Sequence, residues 1–278
     1  MDDWYDNLLT IHSEQPQTLK EFERQVAGSR EYELRWPELR PVLNELLAAV
    51  RAAPLRVAPL LKEMCIRLAV TPQRMMDYCG MPDPNAKGLK VEHVAAWVEG
   101  FLQNSQPPEF FPAIGMQVLS LNKLRPIPNH VMVAPYELNG MHWCRDHWGC
   151  PQDVLNPVRI EVTHADPPLT SGHVLRYQFL SMQESPFPAI EAAAAKWPTL
   201  CLSLISLNYG GMRAVSRAIS VGVTLRKEIV NGYFHDMVEL KDGRNKMNWQ
   251  VTTHHADLML RRTLLDRATH DRRSRAVA

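Results

Sequence analysis

Apolar positions along the chain fall into three regimes. At the start, Asn7-Leu8-Leu9-Thr10-Ile11 comes close to strand alternation. After a Ser-Glu-Gln-Pro turn, Leu19, Phe22 and Val26 share one helical face. Thr18 is the expected cap of that helix and Gly28 its stop. From 31 to 106 the period is helical throughout. It runs through Leu39, Val42, Leu43, Leu46, Leu47 and Val50, then Leu60, Leu61, Met64 and Leu68, and last Val91, Val94, Trp97, Val98 and Phe101. Between the last two groups Thr71 caps a helix over residues 72–79, with Pro72 in its first turn and Gly80 closing it. The spacing predicts three to five helices and no strand.

Strand patterning returns at residues 116–121, 159–163 and 173–180. A helix is expected through Ala189, Ile190, Ala193 and Ala194. It ends at Trp197-Pro198, because proline disfavours the helical conformation at the residue before it. Residues 200–205 read as a largely buried strand. Further on, 219–225 alternates strictly, and residues 237–240 and 247–251 flank Lys241-Asp242-Gly243-Arg244, where Asp-Gly signals a hairpin. A basic helix is expected from Leu258 to Arg275.

Removing the helical stretch leaves strand-helix-strand followed by strand-helix-strand, which is the βαββαβ order of a ferredoxin-like fold. The expected class is therefore α+β: a ferredoxin-like domain at 1–30 and 107–207, a helical insertion at 31–106, and an extension at 208–278. That extension is expected to hold a β-hairpin and the basic helix.

Composition narrows the function classes. Of 278 residues, 45% are apolar and 22% charged, the balance of a globular protein. A net charge of +1 supplies no global field for nucleic acid or an acidic membrane. Charge is uneven, however: residues 1–33 are rich in Asp and Glu, while Arg261, Arg262, Arg267, Arg272, Arg273 and Arg275 crowd the end. No apolar run reaches the roughly 20 residues needed to span a bilayer. Met1-Asp2-Asp3-Trp4 does not look like a signal peptide, so a cytoplasmic protein is expected. Five scattered cysteines argue against a disulfide framework.

Four separated pieces carry a family resemblance. They are Trp4-Tyr5-Asp6-Asn7-Leu8-Leu9-Thr10-Ile11, Leu119-Ser120-Leu121-Asn122-Lys123-Leu124-Arg125-Pro126-Ile127-Pro128, Trp143-Cys144-Arg145-Asp146-His147-Trp148-Gly149, and Pro186-Phe187-Pro188-Ala189-Ile190 with Trp197-Pro198-Thr199-Leu200. Together they resemble the YubB-like ferredoxin-like family of bacterial plasmids and integrative elements. The likeness covers residues 4–28 and about 111–207. The family usually follows its Trp-Gly with Lys-Trp-Asp, where this chain has Pro151-Gln152-Asp153, so the second anchoring Trp is absent. The resemblance implies a ferredoxin-like fold and a mobile-element setting, and it implies no activity.

The densest chemistry lies at residues 140–150. Cys144, His147 and Cys150, with His142 beside them, offer a zinc alternative, since zinc takes Cys and His in a tetrahedron. There is no second ligand pair downstream, and buried cysteines among packed aromatics account for the same residues. Trp143 and Trp148 are expected against the core, with Gly149 easing a turn and Arg145, Asp146 and His147 outward.

His235-Asp236 and His254-His255-Ala256-Asp257 resemble an HD-type hydrolase set, but the first pair sits in a strand-like stretch. Cys201, Ser203 and Ser206 lack a Gly-x-Ser-x-Gly elbow. Residues 208–213 are neither a P-loop nor a dinucleotide fingerprint and read as a turn. Tyr177 and Phe179 share one strand face, expected to pack on helices rather than to stack RNA bases.

Residues 71–81 resemble the first half of a helix-turn-helix, and 67–101 would supply Arg67, Arg74, Lys87 and Lys90 for DNA phosphates. The leading expectation is a non-enzymatic accessory protein without cofactor. It would bind a macromolecule, a protein before nucleic acid, through the helical insertion or through Trp143, Arg145, His147 and Trp148. Interference with host defence is a role open to such a binder. A DNA-binding regulator and a zinc- or HD-type hydrolase are the alternatives.

Overall fold

The computed structural model describes residues 4–29, 31–104, 116–160 and 172–208, and as backbone 213–220, 223–231, 235–239 and 245–247. In chain order the elements are β1 (Trp4–Ser13), α1 (Pro16–Val26), β2 (Gly28–Ser29), α2 (Leu39–Ala52), α3 (Val57–Arg67), α4 (Pro72–Cys79), α5 (Val91–Asn104), β3 (Met116–Gln117), α6 (Leu121–Leu124) and α7 (Met141–Trp148). They continue with β4 (Leu155–Ile160), β5 (His173–Met182), α8 (Phe187–Lys196), β6 (Cys201–Asn208), β7 (Arg213–Ser220), β8 (Val223–Asn231), β9 (His235–Glu239) and β10 (Asn245–Met247). No helix among the described residues is long and apolar enough to cross a membrane.

The fold is mixed α+β. A six-stranded sheet runs in the order β4-β5-β1-β6-β7-β8, every neighbour antiparallel. The N-terminal strand is therefore central, between β5 and β6. Its residues 6–13 are all buried, on both faces. One face carries Asn7, Leu9 and Ile11 with Tyr177 and Phe179 of β5, as the sequence pattern expects of a helix-covered face. α1 lies on it: Glu23 pairs with Arg159, which stands opposite Tyr177, at 2.7 Å. The Phe22 ring meets Trp197 at the end of α8 edge-on, centroids 5.7 Å apart. Burial of Tyr177 holds its phenol well above the usual tyrosine range.

Several boundaries differ from expectation. α1 begins at Pro16, not after Thr18, because proline fits the first helical turn, where an amide would be orphaned anyway. The strand expected at 116–121 is two residues long and pairs with Gly28–Ser29 outside the main sheet. The chain from Leu121 then turns helical, with Ser120 as its cap residue. The alternation at 219–225 divides between β7 and β8, which pair with Ser220 opposite Val223. Alternation marks the faces of a strand but not the place where it reverses. β9 and β10 pair antiparallel, Glu239 opposite Asn245. The expected C-terminal helix lies outside the described residues, as do residues 241–244 and His254 to Asp257.

The chain divides into two compact units. The sheet unit spans 1–30, 114–126 and 144–278, and the helical unit spans 31–113 and 127–143. Residues 127–143, which the pattern assigns to the α+β domain, thus cluster with the helices. Their anchors are specific. Leu138 joins the helical core, and the Tyr136 ring packs edge-on against Trp36 at 5.6 Å. That core uses the expected stripe, with Leu39, Leu43, Leu46, Leu47 and Val50 of α2 against Val57, Leu61 and Met64 of α3 and Val94 and Val98 of α5.

Candidate functional site

Residues 136–150 are almost wholly helical. A π-helical turn, Tyr136–Gly140, leads into α7. α7 ends at Gly149, whose φ of +88° suits glycine, and a Cβ there would stand 2.5 Å from the Ser185 carbonyl. The Gly149 amide caps the helix on the Arg145 carbonyl at 3.0 Å.

Trp148 is 1% exposed, and its indole N–H donates to the Arg125 carbonyl at 2.8 Å. That corrects its assignment as a partner contact. A buried indole must satisfy its donor, and here it does so by fixing α7 to the strap after α6. The Arg125 guanidinium returns a bond to the His147 carbonyl at 3.2 Å. Trp143 is half-buried, Asp146 is exposed as expected, and Arg145 is half-buried and bonded to Gln183. Burial, then the Arg125 charge, lowers the pKa of His147 against an opposing pull from Asp146.

The zinc set is not assembled as such. Cys144 and Cys150 are buried, and the Cys150 thiol donates to the Gln152 carbonyl at 3.2 Å. Among the described residues no three His, Cys, Asp or Glu side chains come together as a metal site. After the Trp-Gly the chain forms a carboxylate clasp instead. Asp153, 1% exposed, accepts from Ser120 Oγ at 2.6 Å, the Leu121 amide at 2.6 Å and the Val154 amide at 2.8 Å. It thereby satisfies the first amide of α6, an orphan donor by the geometry of helix ends.

The DNA candidates are dispersed. α4 has the expected Thr71 cap, which accepts from the Arg74 amide at 3.2 Å, and a left-handed Gly80 at φ +68°. The next helix starts only at Val91, after the non-helical residues 81–90, too late for a helix-turn-helix. Arg67 is ion-paired with Glu45. Lys87 and Lys90 are exposed, but the exposed positions of α5 include Glu92 and Glu99, the latter 3.0 Å from Arg51. Of the four cations, Arg67 lies on α3, Arg74 on α4, and Lys87 and Lys90 in the non-helical stretch before α5.

Two features escaped the sequence reading. The first is a buried polar row on the sheet face opposite Tyr177. Thr10 stands between Arg176 of β5 and Ser203 of β6, with His12 opposite Cys201 and Asp6 further along. Thr10, Ser203, His12 and Arg176 are all at most 4% exposed, and the hydroxyls of Thr10 and Ser203 have no hydrogen-bond partner. The signal was the two-residue period of Asp6, Leu8, Thr10 and His12, with Arg176 set in an apolar strand. Ser206, by contrast, is on the helix face and fully engaged: it donates to Asn7 Oδ1 at 2.7 Å and accepts from Ser185.

The second is the outward side of α3. Leu55, directly before the helix, is fully exposed and Ile66 is 78% exposed. Pro59 and Lys62, exposed too, lie between them. Pro59, Lys62 and Ile66 follow the i, i+3, i+7 spacing of one stripe of α3, and Leu55 stands in the 3-10 turn Pro54–Arg56 ahead of it.

No protein-family model matches the chain, and no curated protein matches it. Among solved structures it is similar to the crystal structure of a protein, api92, from Yersinia pseudotuberculosis. The TM-score is 0.42 and the identity 10%, over 84% of this chain and 99% of that one. At that level the likeness carries no argument about fold or function.

Proposed function

We propose that the protein is a ferredoxin-like binding protein that acts without catalysis, its helical unit docking on a macromolecular partner, in the first place a protein. The strand order β4-β5-β1-β6, with α1 and α8 as the two crossovers, supports the ferredoxin-like reading. In it the second strand is Leu155–Ile160 rather than 116–121.

One observation carries the binding reading: the exposed side of α3, Pro59, Lys62 and Ile66, with exposed Leu55 in the 3-10 turn before it, while the opposite side of the helix, Leu61, Met64 and Cys65, is packed into the core. A helical stripe at this spacing is what a partner groove reads, and burying a Leu or Ile fully contributes about 1.5–3 kcal/mol each. The burial of Trp148 and the Arg145–Gln183 bond favour this surface over the α7 segment. The resemblance of residues 4–28 and 111–207 to the YubB-like family supports a mobile-element setting, where interference with host defence is a role for such a binder.

The test is capture from host lysate with the full chain and with a Leu55→Glu/Ile66→Glu double variant, both checked for native circular dichroism. A specific partner retained by the wild type and lost by the folded double variant is the expected result. Capture that the double variant leaves unchanged, or no partner at all, overturns the proposal.

A further inference from the structure

The six-stranded sheet ends in two unlike edges. β4 is blunted against further pairing. Pro157 within it has no amide to donate, Asn156 takes a left-handed φ of +48°, and the register with β5 shifts between Leu155 and Val158. Those are devices by which a sheet edge refuses another strand. β8, at the other end, has none of them along its length. It holds no proline and no glycine, and Val223, Thr224, Ile229 and Val230 are β-branched. Its pairing with β7 is regular from Asn231 opposite Arg213 to Arg226 opposite Ala218, and shifts only next to the connecting turn. Among the described residues no strand lies beyond it.

The sequence of β8 adds a constraint. Two copies of one strand that join edge to edge about a two-fold axis are antiparallel, and residue i meets j just as j meets i. Opposite residues share a face of the joined sheet, and successive residues alternate faces. The axis therefore passes through a residue, never between two. Centred on Lys227, the pairing uses the whole of β8, Val223–Asn231. It sets Arg226 opposite Glu228 and Leu225 opposite Ile229, each of them twice. Its cost is Lys227 opposite its own copy. A centre at Arg226 sets that residue against itself and Leu225 against Lys227. A centre at Glu228 sets two carboxylates together and Lys227 against Ile229. Charge and apolar matching thus select a single register. Charges along an edge turn other strands away, but these match in a second copy.

We propose that β8 is a homodimer interface, to which a second copy of this chain adds its own β8, antiparallel and centred on Lys227, making one continuous sheet across two protomers. Strand addition takes its affinity from main-chain hydrogen bonds and its register from the side-chain pairs. This goes beyond the docking surface on α3 and does not depend on it, since β8 and α3 belong to different units.

The experiment is sedimentation equilibrium of the full chain across the micromolar range, with hydrogen exchange of the β8 amides at the two ends of that range. A species of twice the chain mass is expected, and the amides of residues 223–231 gain protection as it forms. Arg226→Glu makes both Arg226–Glu228 pairs repulsive and should weaken dimerisation about tenfold or more. Arg226→Glu with Glu228→Arg restores opposite charges at both pairs and should recover the wild-type affinity, which also shows that neither substitution unfolds the strand. Lys227→Thr removes the central repulsion and should tighten the dimer. A chain that stays monomeric throughout overturns the proposal and leaves the edge to a strand of another protein or to this chain itself. A dimer whose β8 amides exchange as in the monomer, one unmoved by Arg226→Glu, or one not recovered by the double reversal overturns it too.

Discussion

The sheet unit and the helical unit handle polar groups differently. Among the described residues every buried polar side chain except Glu33 belongs to the sheet unit: Asn7, Thr10, Ser181, Ser203, Ser206, Asp153 and their like. The helical core is built from Leu, Val, Met and Cys. Among its described residues the ion pairs Arg51–Glu99, Arg56–Glu63 and Arg67–Glu45 are each more than half exposed, where such pairs contribute little.

Geometry explains the contrast. A helix satisfies its own backbone and keeps a solvent side for polar residues. A central strand covered on both faces has no such side, so any polar residue it carries is buried, whether bonded, as Asn7 is to Ser181 and Ser206, or partnerless at its hydroxyl, as Thr10 is. The lesson is that buried polar side chains distinguish the sheet unit, whereas the helical core is an apolar and sulfur-rich packing with few polar bonds such as that of the Trp97 indole.

The largest expected effect tests the sheet half of that contrast. Asp153→Ala leaves three buried donors unsatisfied, and by the cost of hydrogen bonds to a charged acceptor should lose about 3–5 kcal/mol. Urea unfolding measures it, and a loss below about 1 kcal/mol would break the comparison. Next comes Trp148→Phe, which removes the bond to Arg125 and leaves a small void; about 1–3 kcal/mol is expected in the same assay.

Thr10→Val runs the other way. It replaces a partnerless buried hydroxyl by a methyl of the same shape and should raise stability by about 1 kcal/mol. A clear loss would mean that the hydroxyl has a partner after all.

The smallest effect belongs to the helical unit. Burial, and secondarily the Glu38 charge, hold the Glu137 carboxyl above its usual range. A raised carboxyl pKa costs stability when both states are ionised, and that cost disappears as pH falls through the folded pKa to below the unfolded one. Glu137→Gln should therefore be the more stable protein at neutral pH. Its advantage over the wild type should vanish as the pH is lowered past the ordinary Glu range, with unfolding midpoints followed from pH 7 to pH 4. An advantage that grows on acidification would contradict the assignment.

Much of this was legible in residue order. The α2 stripe from Leu39 to Val50, the Thr71 and Gly80 caps of α4, the C-terminal end of α8 and the burial of Trp148 follow from local rules, because periodicity and capping act within one turn or one strand. The polar row was half legible. Alternation groups Thr10 with His12 on one face of β1, but that Arg176 of β5 joins them depends on the strand register, and whether that face is covered depends on what packs there.

The sequence by itself determined which side of each helix is apolar, where α4 stops, and that the chain mixes strands with a long helical stretch. Only the tertiary structure decided that the N-terminal strand lies at the centre of the sheet and that residues 116–121 do not enter it. It alone assigned 127–143 to the helices, made Asp153 the clasp of α6, and brought Cys65 within 3.9 Å of Met81. Those outcomes join residues far apart in the chain, and no local period encodes which distant partner a side chain will meet.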